Sequence, residues 1–304
     1  MAEGVGLVPT HQLFNEILPT RPLTLDTPEF PARAPAAPPA PPDFLATLRP
    51  VTWRDPQRWL AAGWRDFLQQ PVIGLFYGAC FVIMGWALAW VFMRQPAYTL
   101  VLASSFLLLG PFLCLGLYDV SRKLERKEVP TLSASLTAWR RNLGALAWYC
   151  GVLLILDMLW ARSALVVFAV SFNMVPAAAS TWSTLTDLSN LGFIVTYLAV
   201  GAVFAGLIFA TSVISIPMLL DRADDDKADA ITAGLTSIRA CLAQPFVMGL
   251  WGAVITLSVV VAMLPGFLGL AVVAPVLGHA SWHAYRSIVA PPSGERCSAG
   301  AAES

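Results

Sequence analysis

Two of the chain's three histidines fall in one stretch, GHASWHAYR at residues 278–286, which closes a long run without charge. His279 and His283 are four apart, so a helix puts them on one face, the spacing that a metal or haem site inside a bundle requires. If the segment lies in a membrane, His279 is also a candidate for binding a proton or an anionic ligand, because ionisable groups there are functional candidates by default. The alternative is structural: His279 stays neutral and bonds a neighbouring carbonyl, while Trp282, His283, Tyr285 and Arg286 anchor the helix at the headgroups.

The same layout recurs upstream. Pro275 is followed after eight residues by His283 and after eleven by Arg286, and Pro111 at the same intervals by Asp119 and Arg122. Pro217 is followed after four by Asp221, the interval separating Pro275 from His279. Equivalent depth in equivalent helices predicts that Asp119, Asp221, His279, His283 and Arg286 converge on one ligand or proton site. Asp157 is a weaker candidate, expected to pair with Arg162 near the outer surface. No catalytic residue is assigned: GxSxG, HExxH, a phosphate-binding glycine loop and the dinucleotide fingerprint do not occur. The five cysteines lack metal or redox spacing and read as apolar fillers. No cofactor is predicted, and any metal or haem would rest on His279 and His283.

The elements that must position these residues are transmembrane. Hydrophobic residues make up 57% of the 304-residue chain against 12% charged, with eleven Trp, which exceeds the needs of a soluble core. About 20 apolar residues cross a bilayer. Runs of that kind predict an all-α, polytopic helical bundle of six spans, approximately 71–93, 97–118, 143–161, 188–220, 245–264 and 266–286. The uncharged but Asn-, Pro- and Ser/Thr-interrupted segment 163–186 is expected to re-enter or lie in the interface on the periplasmic side. With six spans, 17 of the 19 Lys and Arg face one side, and only Arg94 and Arg162 the other. A seventh span would reduce the 17 to 12.

A repeat supports the same count. SASLTAWRRN from Ser133 aligns without a gap on TAGLTSIRAC from Thr232, and WLAAGWRDFLQQP from Trp59 is a weaker third copy. Each reads as an amphipathic helix in the interface before a spanning hairpin, giving three units of interfacial helix plus hairpin. Residues 1–55, where 11 of the 23 prolines fall within the first 50 positions, read as a disordered cytoplasmic tail. Residues 56–289 form the membrane domain, and 290–304 a second disordered tail. The first twenty residues hold no apolar core of signal-peptide length, so the first span is expected to direct insertion.

With these landmarks placed, residues from about Trp59 to Val289 resemble a bacterial family of integral membrane proteins, domain of unknown function 2189. The likeness is carried by GWRDF at Gly63, GPFLCLGLYDVSRKLERKEVP at Gly110, WAR at Trp160, SVISIPMLLDR at Ser212 and GHASWHAYR. It implies six spans and the bacterial inner membrane, both termini cytoplasmic by the charge rule, and brings no activity. A net charge of zero gives no basis for a nucleic-acid partner. The partners expected are the lipid bilayer and another membrane protein, with oligomeric state open. Three functional readings follow: a binding, scaffold or assembly protein; a small solute or ion transporter working at the proline-interrupted helix ends; and a metal- or haem-binding protein.

Overall fold

The computed structural model describes Met1 and residues 46–94, 99–171, 191–223 and 229–290. The chain divides into two units, Met1–Ala40 and Pro41–Ser304, and every described helix belongs to the second. In chain order the helices are α1 (Asp55–Gln69), α2 (Pro71–Arg94), α3 (Thr99–Glu125), α4 (Leu132–Leu136), a 3₁₀ helix (Ala138–Asn142), α5 (Leu143–Ser171), α6 (Leu191–Ser212), α7 (Ser215–Asp221), α8 (Ala230–Ala243), α9 (Pro245–Met263) and α10 (Leu270–Ile288). Among the described residues four helical stretches are long and apolar enough to cross a membrane: Pro71–Arg94, Ala138–Val170, Leu191–Asp221 and Pro245–Met263.

Two of the helix joints are built alike. α1 stops at Gln70 (φ −131°, ψ 59°) before Pro71, and α8 stops at Gln244 (φ −139°, ψ 58°) before Pro245. Proline disfavours the helical conformation in the residue before it, yet fits the first turn of the helix it begins. A Gln-Pro pair therefore ends a short helix and starts a long one in a single step. The short helix ahead of α5 lacks such a pair and is split instead into α4 and the 3₁₀ helix.

The centre of the fold is α10, which packs against α1, α2, α3, α7 and α9. Between spans water is absent from both states, so close packing rather than hydrophobic transfer holds helices together, and small residues allow it. Pro275 removes the N–H that would bond the Ala271 carbonyl, and Gly78 of α2 lies directly against that Ala271 carbonyl. Trp282 and Tyr285 are 0% and 1% exposed. The expected interfacial anchor is thus wrong for both, because α10 turns that face into the bundle. By contrast α6 buries no residue, and Leu198, Val203 and Leu207 are exposed along it.

Three boundaries differ from expectation. Residues 46–54, assigned to the tail, are docked: Leu48 bridges Val289, and the Gln244 side chain accepts from Val51 N at 2.8 Å and donates to Arg49 O at 2.8 Å. The two chain ends of the membrane domain thereby close against each other. α5 runs unbroken to Ser171, so residues 163–171 continue the same apolar helix instead of starting a separate segment. Nothing in SALVVFAVS breaks a helix; the Asn and Pro of the segment come later. Residues 172–186 lie outside the described residues, as do residues 291–304 of the second tail. The fourth run is also interrupted, with a turn at 213–214 separating α6 from α7. Ser237 Oγ caps that break by accepting from Ile214 N at 3.2 Å.

Candidate functional site

In α1 the buried residues are Pro56, Trp59, Ala62, Gly63, Asp66 and Phe67, one stripe at helical spacing with a carboxylate in it. That stripe lies on α10, where Gly63 permits the approach: a Cβ on it would stand 2.6 Å from both Ala280 N and Val276 O. Asp66 is thereby carried into the helix interface at 8% exposure.

There it meets both histidines. His283 Nε2 is 2.8 Å from Asp66 Oδ2, and Ser121 of α3 donates its hydroxyl to the same oxygen at 2.7 Å. Ser121 Oγ is also 2.7 Å from Nδ1 of His279, a residue fully shielded from solvent. A hydroxyl has one proton. Since it goes to Asp66, His279 Nδ1 must donate to Ser121 and Nε2 must carry the bare lone pair. Among the described residues Nε2 has no hydrogen-bond partner. The chain Asp66–Ser121–His279 is a hydrogen-bonded relay that ends on the buried His279 ring. Burial raises the Asp66 pKa, but hydrogen bonds from His283 and Ser121 outweigh it and hold the carboxyl below its ordinary value of 3.8.

The remaining candidates do not join this relay. Asp221 accepts from Tyr285 Oη at 2.8 Å and lies 3.4 Å from Arg286 Nη1, while Arg286 Nε reaches Glu125 Oε1 at 3.2 Å. Trp282 Nε1 donates to Glu125 Oε2 at 3.2 Å, so this second network ties α10 to α3 and α7. Asp119 is paired within α3, to Arg122 Nη2 at 2.9 Å and Lys123 Nζ at 2.7 Å. The expected single site is therefore three groups. Sequence spacing speaks only to height along a helix, whereas the rotation of each helix decides which faces meet.

Asp157 is buried at 7% exposure, and among the described residues its Oδ1 has no partner. Among the described residues no ion pair joins it to Arg162. Because α5 continues, the two are five residues apart on one helix, about 140° around the axis, where side chains do not meet. Asp157 is also 14 residues from each end of Leu143–Ser171 (157 − 143 and 171 − 157), at the midpoint of α5 and not near its outer end.

Sequence reasoning missed Asp66 and Ser121. Asp66 was legible, since an aspartate at the eighth place of the stripe beginning at Trp59 is a charge on a buried face. Ser121 carried no signal. His279 and His283 point to different partners, and among the described residues no group of three or more His, Cys, Asp or Glu stands together for a metal.

Long apolar helices and exposed apolar faces define a polytopic helical integral membrane protein. More particularly, residues 98–221, from α3 through α7, match the family described as predicted integral membrane protein (DUF2189). The stretches at Gly110 and Trp160, and that at Ser212 up to Asp221, lie inside the match; GWRDF and GHASWHAYR lie outside it. No curated protein and no solved structure matches the chain.

Proposed function

We propose that the chain is a six-span protein of the bacterial inner membrane, with both termini cytoplasmic, that acts as a binding or assembly protein. α3 and α10 supply the second and sixth spans beside the four most apolar stretches. The identical Gln-Pro joints at 70–71 and 244–245 support reading α1–α2–α3 and α8–α9–α10 as repeats, with α4, the 3₁₀ helix, α5 and α6–α7 as the divergent middle unit. The shared Ala-Gly pair is not equivalent between copies: Gly63 is seven residues before Gln70, whereas Gly234 is ten before Gln244. Arginine over tryptophan at Trp53–Arg54 (5.0 Å), Trp139–Arg140 (5.4 Å) and Trp90–Arg94 (5.7 Å) suits headgroup depth on the two faces.

One observation carries the functional reading. Asp66 of α1 is bonded to Ser121 of α3 and to His283 of α10, which fixes the interfacial helix α1 to the bundle. With α1 held, Trp64 and Leu68 remain exposed on its outer side, 46% and 57%. A rigid platform at the inner leaflet is what an assembly protein presents to a partner. The transporter reading keeps one supporting observation, the α6–α7 break at 213–214 ahead of Pro217, since interrupted helices line substrate sites.

Two experiments test these statements. A reporter active only in the periplasm should light when fused after Pro96 or Thr186 and stay dark after Lys127, Lys227 or Ser293; light at Lys227 would require a seventh span. Photo-crosslinking residues at positions 64 and 68 should then capture one specific membrane protein in native membranes, and a substitution at the same positions should abolish it. Solute or proton flux in vesicles containing only this protein, lost in His279→Leu, would replace assembly with transport.

A further inference from the structure

Arg122 is the charged group that the networks above leave least complete. It is 3% exposed, and among the described residues only Nη2 of its three nitrogens has an acceptor, Asp119 Oδ1; Nε and Nη1 are buried with none. Those two nitrogens carry three N–H bonds. The other Asp119 oxygen is taken by Lys123. The surrounding charges add to the imbalance, because Arg126 of α3 and Arg141 of the 3₁₀ helix act on Arg122 as like charges, opposed by Asp119. Leaving a buried guanidinium short of acceptors and beside further cations is strongly unfavourable unless something negative and oxygen-rich completes the shell.

We propose that Arg122 forms the floor of a binding site for a phosphate-type oxyanion, seated between the inner end of α3 and the 3₁₀ helix that packs on it. A phosphate group supplies several acceptor oxygens in one place and at least one negative charge, matching three open N–H bonds in a cationic surround. The site lies where the middle unit departs from the other two: where they have a continuous interfacial helix, this unit has Ala138–Asn142 in 3₁₀ form with Arg140 and Arg141 in it. Since the open nitrogens are shielded from solvent, seating the oxyanion requires a neighbouring segment to shift. The 3₁₀ helix, with its poorer hydrogen-bond geometry, is suited to do so. Two sources share this chemistry, the headgroup of an anionic phospholipid and free phosphate.

The test uses the full-length protein, delipidated in detergent and titrated separately with short-chain phosphatidylglycerol, short-chain phosphatidylcholine and inorganic phosphate. Phosphatidylglycerol should be retained about tenfold more tightly than phosphatidylcholine, and Arg122→Gln should remove that preference, the size expected for one set of charge-assisted hydrogen bonds. Amide exchange at residues 138–142 should slow on binding. Slowing by inorganic phosphate alone would support the site and assign its source to solvent. Should Arg122→Gln fail to fold, wild-type exchange decides alone. Equal retention of both lipids without slowing by inorganic phosphate, or exchange at 138–142 unchanged by all three additions, would overturn the proposal.

Discussion

Asp66→Ala is expected to lower stability by about 3 kcal/mol, because it strands His283 and Ser121 inside a helix interface and leaves His279 bonded only to a hydroxyl without its acceptor. Thermal unfolding in detergent would measure it. His279→Gln, which keeps a donor and an acceptor near Ser121, should be almost silent, and His279→Leu should cost about 1 to 2 kcal/mol. Because the two residues share Ser121, the double change Asp66→Ala with His279→Leu should cost less than the sum of the singles. Additive losses would separate His279 from the relay.

The same carboxylate sets an acid limit. Its folded pKa lies below the ordinary 3.8, so the unfolded chain binds the proton first as pH falls. The contribution of Asp66 is then present in full well above 3.8 and is lost as pH drops below that value through the folded pKa. Asp66→Asn should remove this part of the acid sensitivity while leaving the remainder.

Gly63→Ala is expected to cost about 2 kcal/mol net. In an isolated helix the change would favour α1 by about 1 kcal/mol. Here the new methyl stands 2.6 Å from Ala280 N and Val276 O, and neither backbone atom can rotate away. Separating α1 from α10 costs about 3 kcal/mol, the upper part of the range for overpacking. The control is Gly234→Ala in α8, where a Cβ meets open space; it should be neutral or stabilising. Parallel unfolding curves for the two variants would test the assignment, and a destabilised Gly234→Ala with a neutral Gly63→Ala would refute it. Loosened α1 packing should also raise amide exchange across residues 55–69.

Some of this was decided by sequence alone. Apolar run length requires helices able to cross a bilayer, since backbone groups there have no other way to bond. Proline and the residue before it set the joints at Gln70 and Gln244, and His279 and His283 announce themselves by being ionisable in an apolar segment. These are local properties, each readable from one residue and its immediate neighbours. Tertiary structure decided the pairing. Asp66 lies 213 positions before His279 in the chain (279 − 66), and only the seating of α1 on α10 through Gly63 makes them members of one relay. Asp119, expected at matching depth from the position of its proline, is paired instead with Arg122 and Lys123. Periodicity gives a residue's height and its face on its own helix, but which face meets which neighbour depends on side chains packing across elements distant in sequence.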